Sequence, residues 1–166
     1  MKQTKKTKKT ESGRSMIEMV GVLAVMGLIT AGAFVLISSA MSSQKTSRVD
    51  DDVSAIVAGT RLLYNSQSDF TGLSSSALDS LGFTGNNPYG GEYYLAGAGS
   101  DFNVGIGGLT ESQAKTLLAR SWPGGSTMVQ CCTSVTRAEA KGCQKTTCPS
   151  KAAGVLITFP KVQTNF

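Results

Sequence analysis

The residues best equipped for chemistry in this sequence are its four cysteines, Cys131, Cys132, Cys143 and Cys148, which all fall within 18 residues. Thiols spaced in this way can hold a soft metal ion or oxidise in pairs. An even count in a small chain, placed beyond an apolar segment that would carry it out of the cytoplasm, favours two disulfides. Successive residues of a strand point to opposite faces, so Cys131 and Cys132 are not expected to bridge each other. The remaining pairings are Cys131 with Cys143 and Cys132 with Cys148, or Cys131 with Cys148 and Cys132 with Cys143, and spacing does not choose between them. Each bridge closes a short loop and contributes about 2–4 kcal/mol.

Other chemistry is sparse. The chain has no histidine, which excludes Ser-His-Asp and Cys-His catalysis and zinc sites built on histidine. Lys115, Lys141, Lys145, Lys151 and Lys161 have no hydrolase motif around them. The glycine-rich stretch 97–108 is not followed by Lys-Ser/Thr, so it does not read as a phosphate loop. Asp50, Asp51 and Asp52 are consecutive and would point in three directions on a helix; the expectation is a solvated face, not a cation site. No enzyme activity, metal or cofactor is expected.

Glu18 is different, because it stands at the edge of a long apolar segment, Met19 to Ile37. A carboxylate there is costly unless it stays at the interface, protonates or meets a cation. No charge follows until Lys45, and those 26 residues would reach roughly 39 Å as a helix, more than the ~30 Å of a bilayer core. Gly21, Gly27 and Gly32 would permit close helix packing.

The net charge of +5 comes mostly from residues 1–13, where Lys2, Lys5, Lys6, Lys8 and Lys9 face only Glu11. A lysine run directly before an apolar segment reads as a cytoplasmic retention signal. Nucleic acid is therefore not an expected partner.

The junction reads Gly13-Arg14-Ser15-Met16-Ile17-Glu18 and continues as Met-Val-Gly-Val-Leu-Ala-Val-Met-Gly-Leu-Ile. It resembles the class III signal of type IV prepilins, in which a membrane peptidase cuts after a glycine and a glutamate is the fifth residue of the mature chain. Counted from Arg14, Glu18 is fifth. The resemblance implies that Gly13 ends the leader, that Arg14 becomes the new and methylated terminus, and that Glu18 is the assembly carboxylate. It further implies that the apolar helix is kept and packs into a filament. Arg14 departs from the apolar first residue most common in that family, and the helix lacks the proline that many members carry.

The implied partners are other copies of the chain or other pilins, the prepilin peptidase, the inner-membrane assembly platform and, before assembly, the membrane itself. The precursor would sit in the inner membrane with its head in the periplasm and move to a surface pilus serving adhesion, aggregation, motility or conjugation. Two alternatives are a pseudopilin of a type II secretion system and a periplasmic binding domain released by a conventional signal peptide. For the latter, Ser38-Ser39-Ala40 offers a small-x-small cleavage pattern, but 19 apolar residues exceed the usual 7–15 and Glu18 would serve no purpose.

These residues need an α+β scaffold: a long N-terminal helix packed through its second half against a small antiparallel sheet. The expected parts are a leader at 1–13, an apolar helix at 14–44, its amphipathic continuation at 45–67 and a head at 68–166. Val49, Val53, Ile56, Val57, Thr60, Leu63 and Tyr64 lie on one helical face, and no proline breaks the helix from about Ser15 to about Ser66. A short helix with Leu78, Leu81 and Phe83 should end at Gly82, and Asn87-Pro88-Tyr89-Gly90-Gly91 marks a turn. Strands are expected at Glu92 to Ala98, Asp101 to Gly107, Thr127 to Cys132 and Val155 to Phe159, the last closing the sheet. Thr110 and Gln113 form a capping box for a helix through Arg120 that buries Leu117 and Leu118. The head, with its Asn-Pro-Tyr-Gly-Gly opening and a helix before the last strands, is loosely similar to type IVb pilins.

Overall fold

A computed structural model describes residues 12–145 and 148–161, with side chains from residue 16 onward. Most of the stretch expected to be a leader, including its lysines, lies outside the described residues. The chain divides after Ser43 into two compact units.

Helix α1 runs unbroken from Ser12 to Leu63. In the first unit it is predominantly apolar and long enough to cross a membrane, and no part of the apolar stretch is buried. In the second unit its sequence turns amphipathic. Val49, Val53, Ile56 and Thr60 are fully buried and Val57 nearly so, following the 3.6-residue period that puts i, i+4, i+7 and i+11 on one face. At the end of the stripe Leu63, the last helical residue, is 47% exposed. Tyr64 still packs against the core, its ring 5.6 Å from that of Phe70 between centroids.

The second unit is built on a four-stranded antiparallel sheet. β1 (Tyr93–Ala98) and β2 (Asp101–Gly107) form a hairpin, β3 (Met128–Cys132) lies at the far edge, and the order is β1-β2-β6-β3, where β6 is Gly154–Pro160. The sequence suggested that the last strand closes the sheet; instead it occupies the centre, paired to both β2 and β3. The reason is legible in Val155-Leu156-Ile157, a continuous apolar run suited to a strand covered on both faces. Register sets Phe102 opposite Phe159, Val104 opposite Ile157 and Ile106 opposite Val155. All six are fully buried, on the face that packs on α1.

Smaller elements complete this core. Phe70, Leu73 and Leu78 are buried, Leu78 from the four-residue helix α2 (Ala77–Ser80), and Gly82 follows with φ 87°, a left-handed stop that glycine adopts without strain. Phe70 lies 4.7 Å from Phe102 between ring centroids. Gly59 on α1 leaves room for the Leu81 side chain, which approaches where a Cβ would stand. Helix α3 (Glu111–Leu118) opens on the expected capping box, Thr110 accepting from Gln113 N–H and Gln113 from Thr110 N–H. Leu117 is buried beneath it, whereas Leu118 is half-buried. Trp122 fills the space after α3 and donates its indole N–H to the Leu117 carbonyl at 3.3 Å.

Asn87 organises the turn before the sheet. It is buried, its Oδ1 accepts from the N–H groups of Tyr89 and Gly91, and its Nδ2 donates to the carbonyls of Glu92 and Gly107. All of its hydrogen-bonding capacity is thereby used, as burial of an amide requires. The outer edge of β1 is closed by Ser75, whose Oγ donates to the Leu95 carbonyl and accepts from its N–H, and by Gly97 N–H to the Leu73 carbonyl.

Candidate functional site

Of the three residues assigned to processing and assembly, Gly13 and Arg14 lie within the first turn of α1, and their side chains fall outside the described residues. Glu18 is exposed on the same helix. Around it the surface is apolar: Met16 is 71% exposed, Ile17 77%, Met19 68% and Val20 66%. The same character continues along the helix through Phe34, Val35, Leu36 and Ile37 to Met41. A monomeric soluble protein rarely presents an apolar surface of this extent, and such surfaces meet lipid or another chain. Glu18 is the only charged side chain between residues 16 and 44.

The cysteines pair as Cys131–Cys148 and Cys132–Cys143, the second of the two arrangements left open by spacing. Alternation along β3 sends the two bridges to opposite faces of the sheet. Cys131 is part of the main core with Cys148 packed against it. Cys132 belongs to a second, small cluster with Val135 and Leu156, bordered by Tyr94, Ala140 and Cys143. With the four cysteines so paired, no group of three or more His, Cys, Asp or Glu is placed to hold a metal ion among the described residues.

The second cluster owes its existence to a hairpin absent from the sequence reading. β4 (Ser134–Val135) pairs with β5 (Ala140–Lys141), and this strap lies over the outer face of the sheet. Two residues per strand are too short to show a period, so no alternation pointed to it. Val135 enters a seat formed by Gly105, Gly107 and Gly154: a Cβ at any of these positions would collide with Val135. Arg137, at the strap's turn, pairs with Asp79, and its guanidinium donates to the carbonyls of Ser75 and Phe83 at 3.4 Å each. Its backbone N–H donates to Glu92 Oε2 at 2.9 Å. Between the strap, the α2 segment and β1 lies a groove of about 520 Å³, lined by Ser74, Ser76, Asp79, Tyr94 and Arg137 among others.

The acidic triplet is not uniformly solvated. Asp51 is exposed, but Asp50 pairs with Arg120 after α3, and Asp52 accepts from the Tyr93 hydroxyl at 2.7 Å. Three directions on the helix thus meet three environments. Burial, and then the hydrogen bond to the Asp52 carboxylate, push the Tyr93 hydroxyl pKa well up. Further along, Arg61 donates to the carbonyls of Gly124 at 2.7 Å and Pro160 at 3.0 Å. These groups tie the second half of α1 to the head by polar contacts at its margins and apolar contacts at its centre.

Fold and surface together define an α+β protein with a disulfide-bonded head and an apolar N-terminal helix compatible with membrane anchoring. Set against known protein families and curated proteins, the chain matches no family model and no curated protein.

Proposed function

We propose that this chain is a structural subunit of a type IV pilus, processed between Gly13 and Arg14 and polymerised through its N-terminal helix. The observation that carries the reading is the uncovered apolar stretch of a single helix, exposed at every described side chain from Met16 to Gln44 and interrupted by one charge at Glu18. A membrane anchor explains the apolar length. It gives no purpose to a carboxylate at its edge, whereas a filament core supplies that carboxylate with a cation, the new terminal amine of a neighbouring subunit. Pairing of this kind would fix the axial register of one subunit on the next.

The test uses Glu18→Ala in the native host. Leaving an ammonium buried without its partner costs about 3–5 kcal/mol per subunit, so filament yield should fall below detection while the leader is still removed. Shear fractions imaged by electron microscopy report the first quantity. Intact mass and N-terminal sequence of the membrane-extracted protein report the second, with Arg14 expected as the first residue. Normal fibres from the variant would overturn the register role. A chain beginning at Met41 would instead mark a conventional signal peptide and a released periplasmic domain. Correct processing with no surface fibres from the wild type would favour a pseudopilin.

A further inference from the structure

We infer that the two disulfides have separate duties: Cys131–Cys148 holds the head's core, whereas Cys132–Cys143 is a releasable staple whose reduction frees the strap at residues 133–144 and leaves the four-stranded sheet folded.

The argument begins with what each bridge encloses. Cys132 and Cys143 are 11 residues apart and the loop between them contains the strap and nothing else. Cys148 precedes Ala152, which is buried in the main core, and Gly154, which opens the central strand β6. Loss of the first bridge therefore releases a surface element, while loss of the second loosens the entry to the middle of the sheet.

Without its staple the strap is closed only by the wider Cys131–Cys148 loop and held by Arg137 and Val135. A two-stranded hairpin is marginal on its own even at full length, and this one has two residues per strand. Val135 is its single fully seated side chain. The floor beneath Val135 is glycine, and its side-chain contacts are confined to the small cluster with Cys132, Leu156 and Tyr94. Arg137 ties the turn to Asp79, to the Ser75 and Phe83 carbonyls at 3.4 Å and, through its N–H, to Glu92; both acidic partners are exposed, where such contacts contribute little in water. The return leg is joined to β3 by the backbone bonds between Cys131 and Gln144 and by Thr133 N–H to the Lys141 carbonyl. These bonds lie next to the staple and are ordered by it.

The sheet, by contrast, does not depend on the strap. Phe102, Val104, Ile106, Val155, Ile157 and Phe159 all face the opposite side, against α1. Opening exchanges one cystine for two thiols: the Cys132–Cys143 bond takes up two electrons and two protons, and an external dithiol is oxidised to its own disulfide. The Arg137 wall of the 520 Å³ groove leaves with the strap, so reduction opens the groove on that side.

The experiment takes the full chain in detergent and treats it with limiting dithiothreitol, then alkylates and maps the modified cysteines by mass spectrometry. Cys132 and Cys143 should be labelled first, in a species whose remaining bridge is Cys131–Cys148. Cys132→Ser with Cys143→Ser should raise amide exchange across residues 134–144 by about 30-fold or more, the loss expected of one such bridge, while β2 and β6 stay protected. Labelling of Cys131 and Cys148 first, or of all four together, would overturn the inference. So would unchanged protection of the strap in the double variant, or loss of protection throughout the sheet.

Discussion

Single residues in this head act through hydrogen bonds of two kinds, some closed within a turn and some reaching elements distant in the chain. Asp69 accepts from the Thr71 N–H at 3.0 Å, and that bond is the main reason its carboxyl titrates below the usual range. A carboxylate whose folded pKa is depressed contributes stability above its unfolded pKa and loses it as pH falls through the folded value. Asp69→Asn should therefore lower the melting temperature relative to wild type at pH 7, and the two proteins should converge towards pH 2. Thermal melts at both values check this, and a constant difference would point to the loss of shape, not charge. The Asp50–Asp52 triplet marks the limit of reading at this scale. Helical geometry forecast three directions, but not that Arg120 waits in one and the Tyr93 hydroxyl in another, because both come from elements distant in the chain.

Elements were legible in proportion to their length and periodicity. The stripe from Val49 to Thr60, the Thr110 capping box and the hairpin of β1 and β2 each leave a repeated or paired mark in sequence. The strap leaves none, and neither does the central position of β6, which is a property of pairing between distant segments. Glycine carried the missing information: Gly105, Gly107 and Gly154 sit in strands where a side chain would ordinarily pack, and all three face Val135. Gly105→Ala should place a methyl group 2.8 Å from Val135 Cγ1 and 2.9 Å from Tyr94 Cβ. Overpacking of this kind costs about 1–3 kcal/mol. Adding Val135→Ala should recover part of the loss, so that the double variant is more stable than the sum of the singles implies. Strict additivity in denaturant unfolding would mean that Val135 does not set the limit on this surface.

At the scale of the whole molecule, one helix carries two kinds of surface. Every buried side chain of the core comes from Val49 or later, and residues 16–44 contribute none of it, although they hold most of the large exposed apolar groups. The length of that stretch was plain in the sequence, and so was the start of the core, because the stripe beginning at Val49 marks where the helix turns amphipathic. A chain starting at Gln44 should therefore fold as a soluble monomer once its disulfides form in an oxidising compartment. The full chain should need detergent or self-association. Light scattering coupled to size exclusion separates the two results, and circular dichroism melts report whether the shortened chain unfolds in one transition. An aggregated or unfolded fragment would mean that the apolar half of α1 stabilises the head. A folded monomer would assign that half to contacts outside the subunit, leaving lipid and neighbouring copies as the surfaces that cover it.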